Sequence, residues 1–224
     1  MNIKNNITNF TQNLPAGCKL IAVTKTKPIE KILEAYNAGQ RRFGENKVQE
    51  LVPKYEALPK DIEWHMIGHL QTNKVKFIAP IVHLIQSVDS VKLLEEVNKQ
   101  AQKANRIISC LLQVHIAEEE SKFGFSEAEL LALFQDAKLS TLQNVQVSGL
   151  MGIATLTGDS VQIEKEFSSL KATFEKIKST VLPANVKMQE LSMGMSSDYS
   201  LAVAHGSTMV RIGSAIFGER NSSI

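Results

Sequence analysis

The sequence predicts an α/β fold, a single-domain (β/α)8 or TIM barrel spanning residues 1–224. Three observations lead there. Short β-rich runs alternate with helical patterns from Cys18 almost to the C-terminus, eight such runs can be placed, and no Pro-, Gly- or Ser-rich linker interrupts them. Eight strands joined by helices close into a barrel, whereas an open doubly wound sheet more often uses about five to seven.

Taken in order, the polar segment before Cys18 adds a short N-terminal capping helix. A first strand over 19–24 leads to a helix over 28–38, where Pro28 suits the first turn and Gly39 a C-terminal cap. Strand 42–46 is followed by helix 47–57, strand 63–68 by helix 73–79, and strand 83–88 by helix 91–104 with Ser90 as N-cap. Strand 107–116 precedes helix 127–139, capped by Ser126, and strand 146–153 precedes the amphipathic helix 161–180 of the outer ring. Strand 189–194, helix 199–204 and a last strand over 209–217 complete the series.

Composition excludes several classes. The 25 basic and 23 acidic residues are interspersed and leave a formal charge of +2, so no net field favours nucleic acid or an anionic membrane. Cys18 and Cys110 sit in apolar runs and read as reduced thiols, not a disulfide or metal framework. Residues 1–13 hold no apolar signal core, and no run of about 18 apolar residues occurs later. A soluble, cytoplasmic protein is expected.

Chemistry is sought at the carboxyl ends of the strands, where such barrels carry their active sites. Ile21, Val23 and Lys25 share one face of the first strand, so an inward face delivers an amine to the barrel mouth. A partly buried lysine there can attack an aldehyde. Lys27 has the same parity but precedes Pro28, where the chain turns into the helix, and is the weaker candidate. Ser192-Met193-Gly194 and Gly213-Ser214 offer backbone N–H donors for a phosphate at the ends of the seventh and eighth strands. Arg211, a permanent cation within an apolar strand, requires a partner or a ligand. It suits a pyridine nitrogen, which it would keep unprotonated; a salt bridge to Glu45 or Glu219 is the alternative.

Other polar residues point less clearly. His65 and His69 have the i, i+4 spacing of helical metal ligands, but His65 falls in a strand, so no metal site is expected. His65 and His83 read as core or pocket residues, and His205 as a helix end. Lys122, after Glu118-Glu119-Glu120, is a candidate for cofactor handover or a surface ion pair. Tyr36, Tyr55 and Tyr199 lie inside predicted helices.

The runs IAVTKTKP, RRFGENKVQE, WHMIGHLQTNK, LIQSVDS, EEESKFGF, GLMGIA and LSMGMSSDYSLAVAHGSTMVRIGSAIFGER together resemble the YggS/PROSC family of pyridoxal 5′-phosphate (PLP) homeostasis proteins. The likeness runs from Lys19 to Arg220. It implies the fold-type III barrel also found at the N-terminus of alanine racemase, with PLP held on Lys25 as a Schiff base. It further implies phosphate contacts from Ser192, Gly213 and Ser214, Arg211 facing the pyridine nitrogen, and Asn46 near the ring. The expected function is storage, buffering or delivery of PLP, with PLP-dependent apo-enzymes as recipients, by a monomer without efficient catalytic turnover. A PLP-dependent amino-acid racemase is the alternative.

Overall fold

The computed structural model describes residues 2–118 and 123–219. Eight parallel strands close in sequence order into a barrel, β8 pairing with β1. They are β1 (Lys19–Val23), β2 (Arg42–Glu45), β3 (Glu63–Met66), β4 (Leu84–Val88), β5 (Ile108–Val114), β6 (Val145–Gly152), β7 (Val186–Ser192) and β8 (Met209–Ile212). The helices are α1 (Ile3–Asn13), α2 (Ile29–Asn37), α3 (Val48–Ala57), α4 (Val75–Ile78), α5 (Val91–Lys103), α6 (Glu127–Gln135), α7 (Lys138–Thr141), α8 (Ser160–Lys178), α9 (Tyr199–Ala204) and α10 (Ser214–Phe217). None among the described residues is long and apolar enough to cross a membrane.

Strand pleat divides the side chains into two sets. Ile21, Leu84, Leu111, Met151 and Met209 fill the barrel interior, while residues such as Leu20, Ala22, Ile85, Cys110, Leu112, Leu150 and Val210 build the larger core beneath the helices. Ser90 caps α5 through the Leu93 N–H at 3.3 Å, and Ser126 and Glu129 form a reciprocal capping box on α6. The expected N-terminal helix is α1, whose buried Ile3, Ile7 and Phe10 recur at helical spacing. Phe10 meets Tyr199 edge-on at 5.3 Å, and the Asn6 amide donates to the Ile216 carbonyl at 3.0 Å.

Two expected elements differ in a way that matters. The helix expected over 127–139 is broken at Asp136, which is extended (ψ 119°) and accepts the Lys138 N–H at 2.8 Å, starting α7 as a separate turn. The strand expected over 209–217 ends at Ile212, and Ser214–Phe217 is the helical turn α10. Ile216 and Phe217 are both buried, a pairing that strict alternation in a half-buried strand would forbid, and both N–H groups donate to the Gly213 carbonyl (3.0 and 2.9 Å). Gly213 therefore stands at the head of a helical turn, at the carboxyl end of β8.

Candidate functional site

The closing seam of the barrel brings the chain's two ends together. Ile21 pairs with Arg211 and Ala22 with Ile212, which sets Val23 beside Gly213: a Cβ on Gly213 would stand 3.4 Å from that of Val23. Lys25, half-buried in the turn that leaves β1, lies two residues beyond Val23, at the carboxyl end of the barrel next to this seam. Lys27 is directed elsewhere. Its ammonium donates to the carbonyls of Gly218 (2.9 Å) and Glu219 (3.1 Å), capping α10.

The turn carrying Lys25 is held in an uncommon shape. Thr26 has φ +61°, a left-handed conformation that costs a β-branched residue about 1–2 kcal/mol. Its N–H donates to Glu50 Oε2 at 2.7 Å, while the Lys54 ammonium donates to the Thr24 carbonyl (2.9 Å), Glu45 Oε1 (2.6 Å) and Glu50 Oε2 (3.1 Å). The Thr24 hydroxyl adds a bond to Glu45 Oε1 at 2.5 Å. Burial pushes the Glu45 carboxyl above its ordinary range, against the pull of Lys54 and Thr24. Glu50 is pushed up by burial too, but the Thr26 N–H and Lys54 outweigh it and hold Glu50 below the ordinary range.

Arg211 is 4 % exposed and makes no ion pair among the described residues; neither Glu45 nor Glu219 reaches it. Its guanidinium donates to the Ser192 hydroxyl (2.6 Å) and the Gly152 carbonyl (2.8 Å). Burial pushes its pKa down to about 10, Asp198 opposing, so it stays charged at neutral pH. A desolvated cation with only neutral partners is costly unless the site receives an electron-rich group.

At the head of α10 two backbone N–H groups, of Gly213 and Ala215, converge on one oxygen, Ser196 Oγ, at 3.3 and 3.4 Å. The exposed Ser214 side chain lies between them. The cradle thus accepts an oxygen from the chain itself. Ser192, grouped with these donors in the sequence, is separated from them: its hydroxyl is wholly buried and lies between Arg211 and Gln86 Oε1. Ser196 was not singled out, because one serine in a Ser-Ser pair carries no distinguishing pattern. Gly194, in between, has φ +96°, and a Cβ there would come within 2.5 Å of the Ala202 Cβ, so only glycine lets α9 approach β7 so closely.

On the other side of β1 from β8, Asn46 leaves β2 with its Oδ1 buried and without a hydrogen-bond partner among the described residues. A cleft of about 450 Å³ opens beside it, lined by Lys47, Gln49, His69, Gln71 and Lys74. His69 Nδ1 donates to Asp89 Oδ2 at 2.8 Å, and the ring stacks on Phe123. It therefore does not join His65, which is buried in β3 and bonded to Gln86. His65 instead gathers with Glu63 and His83, ligand atoms within 4.8 Å, a grouping the sequence did not suggest; the Arg42 guanidinium already holds Glu63 at 2.8 Å. The tyrosines have partners of their own: Tyr36 bonds Asp61, Tyr55 lies under Lys60, and Tyr199, at the start of α9, packs on Phe10. Lys122 lies outside the described residues.

Residues 1–221 match the family model described as alanine racemase, N-terminal domain. The chain is 40 % identical to the pyridoxal phosphate homeostasis protein of Haemophilus influenzae, covering 100 % of this chain and 98 % of that one. It is 42 % identical to the human protein of the same name, over 95 % of this chain and 80 % of that one. The chain belongs to the pyridoxal phosphate homeostasis protein family. Among solved structures, PipY of Synechococcus elongatus, determined with PLP bound, is 38 % identical with TM-score 0.87, covering 96 % of this chain and 100 % of that one. For a member of the pyridoxal phosphate homeostasis family the residues present fit such a group. They comprise an amine at the end of β1, two N–H groups converging on an oxygen, a buried cation on β8 and, at the end of the adjoining β2, an amide oxygen with no hydrogen-bond partner among the described residues.

Proposed function

We propose that this chain binds pyridoxal 5′-phosphate through Lys25 and serves to store, buffer or deliver that cofactor to PLP-dependent apo-enzymes. The observation that carries the reading is Arg211, a buried guanidinium with neutral partners only among the described residues, on the strand that pairs with β1, the strand that leads to Lys25. When bound, the cofactor supplies an aldehyde carbon that forms a reversible covalent bond with an amine and can pass to a second amine.

The chain's own residues take the remaining roles in this proposal. Lys25 provides the amine, Gly213, Ser214 and the neighbouring N–H groups hold the phosphate, and Asn46 contacts the ring. Arg211 faces the ring nitrogen and, as a permanent cation, opposes its protonation. That withholds the electron sink on which efficient racemisation or decarboxylation depends. The phenols of Tyr36 and Tyr55 are engaged with Asp61 and Lys60 and that of Tyr199 belongs to a ring packed on Phe10, which does not favour any of them as the second base of a racemase. We therefore propose a cofactor carrier without efficient turnover, acting in the cytoplasm as a single-domain monomer.

The deciding experiment is an absorption spectrum of the purified protein mixed with PLP, before and after borohydride, with peptide mapping of the reduced adduct. A visible band fixed by borohydride onto Lys25 is expected. No band, or an adduct on another lysine, overturns the assignment. Exchange of an amino acid's Cα proton in deuterated water, if rapid, would instead make the protein a catalyst.

A further inference from the structure

The two peptide groups that flank the Cα of Lys25 are both fixed from outside the turn, by side chains one helical turn apart on α3. On one side the Thr24 carbonyl accepts from the Lys54 ammonium at 2.9 Å, and from the Lys27 N–H at 2.9 Å. On the other, the Thr26 N–H donates to Glu50 Oε2 at 2.7 Å. Glu50 and Lys54 are themselves paired at i, i+4, and the pair is anchored inward by Glu45, which is fully buried at the end of β2. Nothing in this cluster faces an aldehyde. It acts on the backbone that presents the amine.

Thr26 explains why such an anchor is present. A threonine left to itself avoids φ +61°. Since β1 fixes the chain before the turn and α2 fixes it after, relaxation of Thr26 has to be absorbed by the Lys25–Thr26 peptide and hence by the direction of the Lys25 side chain. The Glu50 carboxylate, bonded to that peptide's N–H, opposes the rotation with a charge-assisted bond. Its depressed pKa reflects the same contact.

We propose that Glu50, oriented by Lys54, is a positioning residue for the Lys25 amine: it holds the Thr26 peptide in its left-handed state and so aims Lys25 into the barrel mouth. The proposal rests on the reading of Lys25 as the cofactor-binding amine. It assigns a role to the Glu50 and Lys54 side chains that an ordinary surface i, i+4 pair does not have. It also implies that the network is dispensable where the strain is absent, because glycine adopts φ +61° without cost.

The test is a cycle of Glu50→Ala, Glu50→Gln, Thr26→Gly and the Glu50→Ala/Thr26→Gly double variant. Three quantities are read: the rate of borohydride-trapped PLP adduct at Lys25, hydrogen exchange of the Thr26 amide in the ligand-free protein, and thermal unfolding. Glu50→Ala should slow adduct formation and speed amide exchange, each by about tenfold, equivalent to about 1.4 kcal/mol, with little change in unfolding temperature. Glu50→Gln, which keeps an acceptor oxygen, should fall between. Thr26→Gly should restore the adduct rate in the Glu50→Ala background. Lys54→Met should reproduce the defect, and if it does not fold the Glu50 series decides alone. An adduct rate unchanged by Glu50→Ala, or a defect that Thr26→Gly does not relieve, overturns the proposal. If the unsubstituted protein forms no adduct at Lys25, the functional reading fails. The Thr26 amide then decides the positioning role by itself, with unchanged exchange in Glu50→Ala counting against it.

Discussion

Arg211 and Ser192 are bonded inside the barrel, guanidinium Nη1 to hydroxyl at 2.6 Å, and the hydroxyl in turn donates to Gln86 Oε1 at 2.7 Å. The Gln86 amide continues to His65 Nδ1 at 2.8 Å, so four side chains from β8, β7, β4 and β3 form one buried polar line across the interior. Ser192 is thereby a partner of the cation. In a low-dielectric interior a fully connected line specifies one arrangement, and a broken one leaves desolvated groups unpaired.

Ser192→Ala is therefore expected to act on the protein itself. Removing the hydroxyl leaves an Arg211 donor and the Gln86 carbonyl without their partner, which should cost about 1–3 kcal/mol of unfolding free energy. Urea denaturation of the ligand-free protein measures it. A loss confined to phosphate affinity, with stability intact, would return Ser192 to the phosphate group of residues.

Ser214→Ala should behave in the opposite way. Its side chain is exposed at the head of α10, so unfolding free energy should change by no more than about 0.5 kcal/mol. Affinity for PLP should fall by about 1–3 kcal/mol, the scale of one hydrogen bond to a charged group. Equilibrium titration followed by absorbance reads this, and an unchanged affinity removes Ser214 from the site.

Much of this architecture was legible in the sequence. Strand and helix alternate with clear changes of period, alternation along the first strand put Ile21 on the inward face, and Ser90 and Ser126 marked helix starts. What was hidden has physical causes. The run Ser214 to Phe217 is apolar enough to read as a continued strand, and only the hydrogen bonds of Ile216 and Phe217 back to Gly213 show the turn. Glu50 and Lys54 have the spacing of a solvated surface pair. Their burial against Glu45 and Thr24 depends on where α3 docks, which no local pattern encodes. Ser192 carried a plausible local signal, a serine two residues before a glycine, but its hydroxyl is buried between Arg211 and Gln86.

Lys25→Ala and Lys27→Ala should separate two roles that parity alone left together. Lys25→Ala should abolish the borohydride-trapped adduct and leave unfolding free energy within about 1 kcal/mol, because a half-buried lysine contributes little apolar burial. Lys27→Ala should keep the adduct but loosen α10, whose Gly218 and Glu219 carbonyls lose their cap, at a cost of about 0.5–2 kcal/mol. Peptide mapping together with denaturation distinguishes them. An adduct that survives Lys25→Ala and disappears with Lys27→Ala reverses the assignment.

The His65 ring predicts an acid-side loss of stability. Burial, aided by His83 and the charges of Arg42 and Lys19, holds its pKa well below the ordinary histidine value of about 6.5. Between that ordinary value and the depressed folded one, the unfolded chain binds a proton that the folded chain does not. Stability therefore rises with pH through this window and falls as pH drops below about 6.5, by up to 1.4 kcal/mol per unit. The contribution is fully retained above the unfolded pKa. Glu50, whose folded pKa is lowered, adds its own loss only at more acidic pH. Replacing the histidine by a residue that does not titrate, His65→Asn, should flatten the curve below about pH 6.5 while lowering stability throughout, because the bond to Gln86 changes. Chemical denaturation at a series of pH values gives the slope, and an acid limb unchanged in His65→Asn would place its origin in another group.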